Sequence, residues 1–166
     1  MRLPVPLRSG RKRRGVRVQS MAVLLVDDNP TFLRILKRFL EEHGGGDVEI
    51  VGTADGGREA LAKAMVLKPQ MLLLDLAMPD LHGLEVIPGL RRLLPDTGII
   101  ALTLMNPDSY RQTALAAGAD EFVAKATLDT DLLPAIRRVA AAYRTRWAGP
   151  QPGVDASASH EGSCPG

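Results

Sequence analysis

Residues 22–28 of the chain run Ala-Val-Leu-Leu-Val-Asp-Asp, an apolar stretch that ends directly in two acids. Residues 71–75 repeat the pattern as Met-Leu-Leu-Leu-Asp. A short apolar run bounded by polar residues is typical of a strand that is buried on both faces of a sheet. If the two strands are neighbours, Asp27, Asp28 and Asp75 crowd three negative charges into a small volume. Such crowding predicts either a bound cation or a protonated carboxyl group.

Strand patterns and helix patterns alternate through the middle of the chain. The strands are predicted at residues 22–27, 48–53, 71–74, 99–103 and 121–124, and the helices begin near residues 30, 55, 84, 107 and 129. Such alternation predicts an α/β fold, a parallel sheet covered by helices on both faces. We favour the flavodoxin-like doubly wound strand order 2-1-3-4-5 over the dinucleotide-binding order, because it places the first and third strands side by side.

Polar residues also end the fourth and fifth strands. Thr103 is the last residue of the fourth strand and Lys125 directly follows the fifth. Ligands of doubly wound sheets bind beyond the carboxyl ends of the strands, so both residues are expected at the same edge as the three aspartates. Strands lie ~4.8 Å apart, which puts the backbone of Lys125 roughly 10 Å from that of Asp75, within reach of an extended lysine. Two carboxylates, a backbone carbonyl and water suit Mg²⁺.

The two ends of the chain differ in composition from its middle. Residues 1–20 contain seven arginines and lysines and no acid, which leaves the rest of the chain with a formal net charge of −5. Nucleic-acid binding is considered only through these basic residues, and no aromatic residue accompanies them to stack on a base. The leader is interpreted as disordered or as sequence upstream of a true start at Met21. Residues 21–146 are predicted to form the folded domain. Residues 147–166, rich in Gly, Pro and Ser, are predicted to be a disordered tail.

Several classes of protein are disfavoured by the sequence. Cys164 is the single cysteine, so no internal disulfide can form. No apolar stretch approaches the ~20 residues of a membrane span, and the one after the leader is too short for a secretory signal, so a cytoplasmic protein without a membrane partner is expected. Asp27-Asp28-Asn29-Pro30 replaces the glycine motif of a dinucleotide enzyme, and residues 52–57 lack the lysine of a P-loop.

The ordered set of polar residues resembles the receiver domain of two-component response regulators. The similarity rests on Asp27-Asp28, Asp75, Thr103, Phe122 and Lys125, each at its expected strand. Residues 75–83, Asp-Leu-Ala-Met-Pro-Asp-Leu-His-Gly, resemble the phosphorylation loop of that family, and Gly-Ala-Asp at residues 118–120 also fits. The resemblance covers residues 22–144. The residue after Lys125 is Ala126, as in members joined to helix-turn-helix domains, but no such domain follows here, and a stand-alone, single-domain type is expected.

The resemblance implies a metal site and a phosphoacceptor. Asp75 would take a phosphoryl group from a histidine kinase or a phosphotransfer protein. Asp28, Asp75 and the backbone carbonyl of Ala77 would bind Mg²⁺ directly, and Asp27 would act mainly through water. Such a protein is not an enzyme in the ordinary sense, since it catalyses only its own phosphorylation and dephosphorylation. We expect slow dephosphorylation, because Ala77 and Met105 are apolar at two positions that flank the approach of water.

The resemblance also implies a switch. Lys125 would pair with the phosphoryl oxygens, Thr103 would hydrogen-bond to them, and Phe122 would turn inward as Thr103 moves. The face formed by the fourth helix, fifth strand and fifth helix would then contact a downstream protein or a second copy of the chain. Two alternatives remain: a receiver-like interaction module that is never phosphorylated, and a haloacid-dehalogenase-like phosphatase. The latter fits less well, because its second acid would fall on Ala77.

Overall fold

The computed structural model describes residues 20–104 and 107–148. The strands are β1 (Met21–Val26), β2 (Val48–Ala54), β3 (Met71–Asp75), β4 (Gly98–Thr103) and β5 (Glu121–Ala124). The helices are α1 (Pro30–His43), α2 (Gly57–Leu67), α3 (Gly83–Leu93), α4 (Pro107–Ala117) and α5 (Leu128–Trp147), with a short 3₁₀ turn, Lys125–Thr127, before α5. Met105, the leader up to residue 19 and the tail from residue 149 lie outside the described residues.

The five strands form one parallel sheet in the order β2-β1-β3-β4-β5. Val26 of β1 is in register with Leu74 of β3, and Asp75 is in register with Leu102 of β4. The predicted flavodoxin-like order is therefore confirmed. The first and third strands are neighbours, and the acids at their ends meet at one edge of the sheet.

Two apolar cores lie on the two faces of the sheet. Leu72 and Leu74 pack in the core beneath α2, α3 and α4, whereas Met71 and Leu73 pack in the core beneath α1 and α5. Both cores need apolar residues from the same strand, which explains the unbroken apolar runs of the sequence. Because side chains alternate along a strand, Asp75 points to the same face as Leu73, toward α1 and α5.

The helix boundaries differ from the predicted ones in informative ways. Asn29 caps α1 by accepting hydrogen bonds from the backbone N–H groups of Thr31 and Phe32 at 3.0 and 3.2 Å. Helix α2 begins at Gly57, two residues later than predicted. Its first backbone N–H groups donate to Asp80, in the loop after β3. Helix α3 runs unbroken from Gly83 to Leu93 with Pro88 inside it.

Candidate functional site

The three aspartates of the sequence pattern form one acidic cluster. Asp27, Asp28 and Asp75 each place a carboxylate oxygen within 4.8 Å of the others. Asp27 and Asp75 are buried, whereas Asp28 is exposed. The cluster is thus a pocket with two carboxylates in its floor and one at its open side.

The lysine after β5 reaches the floor of this pocket. The ammonium of Lys125 donates a short hydrogen bond to Oδ2 of Asp27 and lies 3.2 Å from Oδ1 of Asp75. Its side chain is only 5% exposed. Lys125 therefore pairs with both buried carboxylates, and it reaches Asp75 as the strand spacing predicted. Since desolvated charges need close partners, the three groups depend on one another.

Asp75 retains an unsatisfied oxygen despite this ion pair. Its Oδ1 is buried and accepts no hydrogen bond from the described residues, and its nearest cation is the Lys125 ammonium, an ion-pair partner at 3.2 Å. Burial raises the pKa of Asp75 above its ordinary value, and the negative charge of Asp27 raises it further, while Lys125 opposes both effects. A buried acceptor without a donor is costly, so a ligand that binds Oδ1 would remove this cost.

The start of α1 fixes the orientation of Asp27. Its Oδ1 accepts a hydrogen bond from the backbone N–H of Asn29 at 2.9 Å, which leaves Oδ2 for Lys125. Asn29 is itself held as the helix cap. Asp28 lies between these two fixed residues and presents its carboxylate to solvent.

The loop after Asp75 is held by its backbone. The N–H of Leu76 donates to the carbonyl of Leu102 in β4 at 3.0 Å, and the N–H of Gly83 donates to the carbonyl of Leu76 at 3.2 Å. A Cβ atom at Gly83 would lie 2.5 Å from the backbone oxygen of Asp75. The loop between these anchors carries the exposed Ala77.

The same loop also caps a neighbouring helix. The carboxylate of Asp80 accepts hydrogen bonds from the backbone N–H groups of Gly57 at 3.0 Å and Arg58 at 3.2 Å, which open α2. These bonds, that of Gly57 first, lower the pKa of Asp80. The capping role of Asp80 could not be predicted from the sequence, because its partners lie more than twenty residues earlier. The available signal was indirect: α2 begins at Gly56-Gly57 without a capping side chain of its own.

The two residues of the expected switch lie on adjacent strands. Thr103 is fully buried at the end of β4, and its neighbour in β5 is Ala124. Phe122 is buried in the core that also contains Ala101 and Ala114. Phe122 therefore points into the protein in this structure.

The donor set fits a magnesium ion. It offers three carboxylates whose oxygens lie together, one of them with a buried oxygen that accepts no hydrogen bond from the described residues. Hard oxygen donors of this kind suit Mg²⁺, which keeps several waters and so needs few protein ligands. The open side at Asp28 leaves room for those waters.

No helix within residues 20–104 and 107–148 is long and apolar enough to span a bilayer.

Comparison with known proteins agrees with the fold. The family model described as the response regulator receiver domain matches residues 23–137. A candidate transcriptional regulator of Pseudomonas aeruginosa is 42% identical over 121 residues, which are 73% of this chain and 57% of that protein. The response regulator protein VraR of Staphylococcus aureus is 34% identical over 119 residues, or 72% of this chain and 56% of that protein.

A solved structure of a response regulator domain has the same fold. The response regulator domain of Thermotoga maritima CheB is 29% identical, with a TM-score of 0.66, over 73% of this chain and 96% of that one. The chain spans little more than half the length of the two curated relatives. The family match covers more than half of the chain and includes both strands of the acidic cluster. The chain belongs to the receiver domains of two-component response regulators.

Proposed function

We propose that this receiver domain is a phosphorylation-dependent signalling switch in which Asp75 accepts the phosphoryl group of a phosphohistidine. The donor is a histidine kinase or a phosphotransfer protein. The observation that carries the proposal is the buried Oδ1 of Asp75, which accepts no hydrogen bond from the described residues while a cation lies 3.2 Å away. The unit that switches is the folded domain predicted at residues 21–146.

The proposed transfer needs little from the protein beyond position and charge. An oxygen of Asp75 attacks the phosphorus, the phosphorus–nitrogen bond breaks, and its electron pair stays with the imidazole of the donor. Lys125 lies beside the nucleophile, where it neutralises charge on the transferring group. Transfer of this kind depends mainly on alignment and charge neutralisation.

The proposed metal ligands are the cluster and the loop after it. Asp28, Asp75 and the carbonyl of Ala77 would hold Mg²⁺, and Asp27, which already pairs with Lys125 and Asn29, would act mainly through water. When bound, the ion would neutralise charge on the phosphoryl oxygens. The buried side chains of Asp27 and Asp75 would keep bulk water from the floor of the pocket.

The proposed readout follows from the position of Thr103. A phosphoryl group brings nearly two negative charges and strong acceptor oxygens. These draw Thr103 toward Asp75 on the neighbouring strand and change the packing around Phe122. The face formed by α4, β5 and α5 then alters its contact with a downstream protein or a second copy of the chain.

The direct test is phosphorylation with a small donor. We expect the protein, incubated with acetyl phosphate or phosphoramidate and Mg²⁺, to gain one phosphoryl group by intact-mass measurement. Asp75→Asn should gain none, and chelation of Mg²⁺ should prevent the gain in the unmodified protein. Asp80→Asn is a matched control, because it changes a carboxylate of the same loop outside the cluster.

A second outcome would reject the proposal. If the protein stays unmodified with both small donors and with a phosphorylated donor protein, the passive interaction module is the better description. Phosphorylation that persists in Asp75→Asn would place the acceptor elsewhere.

Ala77 is expected to govern how long the phosphoryl group stays. Its side chain is exposed next to the nucleophile but cannot orient a water molecule. Ala77→Asn supplies an amide that can, and we expect the phosphoryl half-life to change by about tenfold, the effect of one positioned group of modest strength. Loss of the group is followed by intact mass after removal of the donor, with Ala141→Asn on the exposed side of α5 as control. Equal half-lives in Ala77→Asn and the unmodified protein would exclude this role.

A further inference from the structure

An aromatic ring covers the lysine of the acidic cluster. The ammonium of Lys125 lies 4.2 Å from the centre of the Phe32 ring, over its face. Phe32 is half-buried on the first turn of α1, the same turn that Asn29 caps. Asp27 and the ring thus reach Lys125 from the same segment of chain, residues 27–32.

The contact gives the ammonium a third neighbour of a different kind. An ammonium has three N–H donors. Asp27 takes one in a short hydrogen bond, and Asp75 lies 3.2 Å from the nitrogen as an ion-pair partner. The face of an aromatic ring attracts a cation without offering a strong acceptor. A carboxylate or amide at this position would instead compete with Asp75 for the donors.

We propose that Phe32 is a positioning residue: its ring holds the Lys125 ammonium against Asp27 and Asp75 and closes the α1 side of the pocket to solvent, while leaving an N–H donor for an incoming phosphoryl oxygen. The hold of the Phe32 ring on Lys125 does not depend on phosphorylation. The role of the remaining N–H donor rests on the proposed function, since it assigns that donor to a phosphoryl oxygen.

The chain offers a matched pair of substitutions. Phe32→Leu keeps an apolar side chain and removes the ring, whereas Phe32→Tyr keeps the ring. Phe39→Leu is the control, because Phe39 is a half-buried aromatic residue of the same helix that stacks on His43, with ring centres 4.9 Å apart, at the other end of α1. Loss of general stability should therefore be similar in the two leucine variants.

The contact is tested by the reactivity of the amine, without phosphorylation. Each protein is treated with trace amounts of an acetylating reagent, and modification of Lys125 is measured by peptide mass mapping relative to the exposed Lys68. We expect Phe32→Leu to raise the modification of Lys125 by about fivefold or more, an effect of the size that a desolvated cation–π contact allows. Phe32→Tyr and Phe39→Leu should stay near the unmodified protein. Unchanged modification in Phe32→Leu would overturn the inference.

The functional part is tested by the rate of phosphorylation by phosphoramidate. Phe32→Leu should lower the rate about tenfold, with the Mg²⁺ concentration for half-maximal rate unchanged, because the proposed role of the ring is exerted on Lys125, which is not a proposed metal ligand. A rate equal to that of Phe39→Leu would overturn the positioning role. If none of the proteins is phosphorylated, the proposed function fails, but the amine reactivity still decides whether Phe32 holds Lys125.

Discussion

Replacement of Gly83 by alanine is expected to lower the free energy of unfolding by about 3 kcal/mol, at the upper end of the cost of overpacking. The new Cβ would lie 2.5 Å from the backbone oxygen of Asp75 and 2.8 Å from the Cα of Leu76. The oxygen belongs to the last residue of β3, and the N–H of Leu76 is bonded to the carbonyl of Leu102 in β4, so neither atom can yield cheaply. The loop must shift, and phosphorylation of Asp75 should slow together with the loss of stability.

Another glycine of α3 provides the control. A Cβ at Gly89 would meet its nearest neighbour, the end of the Leu61 side chain, at 3.3 Å. Gly89→Ala should therefore be neutral or stabilise the protein by up to ~1 kcal/mol through helix propensity. Urea denaturation of the two variants gives the comparison. Equal stability of Gly83→Ala and Gly89→Ala would contradict the claim that close backbone approach positions Asp75.

Replacement of Lys125 by methionine should be about as damaging, at about 3 kcal/mol in the absence of divalent cations. The substitution keeps most of the side-chain volume and removes the charge. Asp27 and Asp75, with side chains 1% and 4% exposed, would then lack the cation that lies between them. Urea denaturation at neutral pH in the presence of a chelator measures this loss. Wild-type stability in Lys125→Met would show that the ion pair contributes nothing.

The loss of stability in Lys125→Met should decrease as the pH falls. The pKa of Asp75 is already raised above its ordinary value of 3.8, and Lys125 is the main group that opposes the rise. Without Lys125 the folded-state pKa rises further, so between the two pKa values the folded state binds more protons than the unfolded state. Stability in that window increases as pH falls. The difference from wild type should thus be largest near neutral pH and shrink toward pH ~4.

A double variant separates charge from packing. Lys125→Met combined with Asp75→Asn removes one of the two carboxylates left without a cation. It should be more stable at neutral pH than Lys125→Met alone and should lose much of the pH dependence. If the double variant were no more stable than the single one, lost packing rather than charge would explain the damage.

The sheet and the centre of the site could be predicted because their signals are local and periodic. Each buried strand is a continuous apolar run, and its polar end residue marks the functional edge. Strand order then determines which ends meet. The spacing of strands alone predicted that Lys125 reaches Asp75, and the structure places the two charged groups 3.2 Å apart.

The supporting contacts could not be predicted because they join distant segments through a single side chain. Phe32 fits the helical stripe of α1, and nothing in that pattern distinguishes it from Phe39, which stacks on His43. Asp80 looks like an ordinary turn residue of a Pro-Asp pair. Only the three-dimensional arrangement shows that one covers Lys125 and the other caps α2.

The cap that Asp80 provides connects the start of α2 to the loop that follows the nucleophile. The first turn of a helix has backbone amides without partners inside the helix. For Gly57 and Arg58 the partner belongs to the segment that directly follows Asp75. These two bonds join the loop after the nucleophile to the helix that packs on β2. The acidic cluster is therefore linked by hydrogen bonds to the β2 edge of the sheet, the edge opposite to β5.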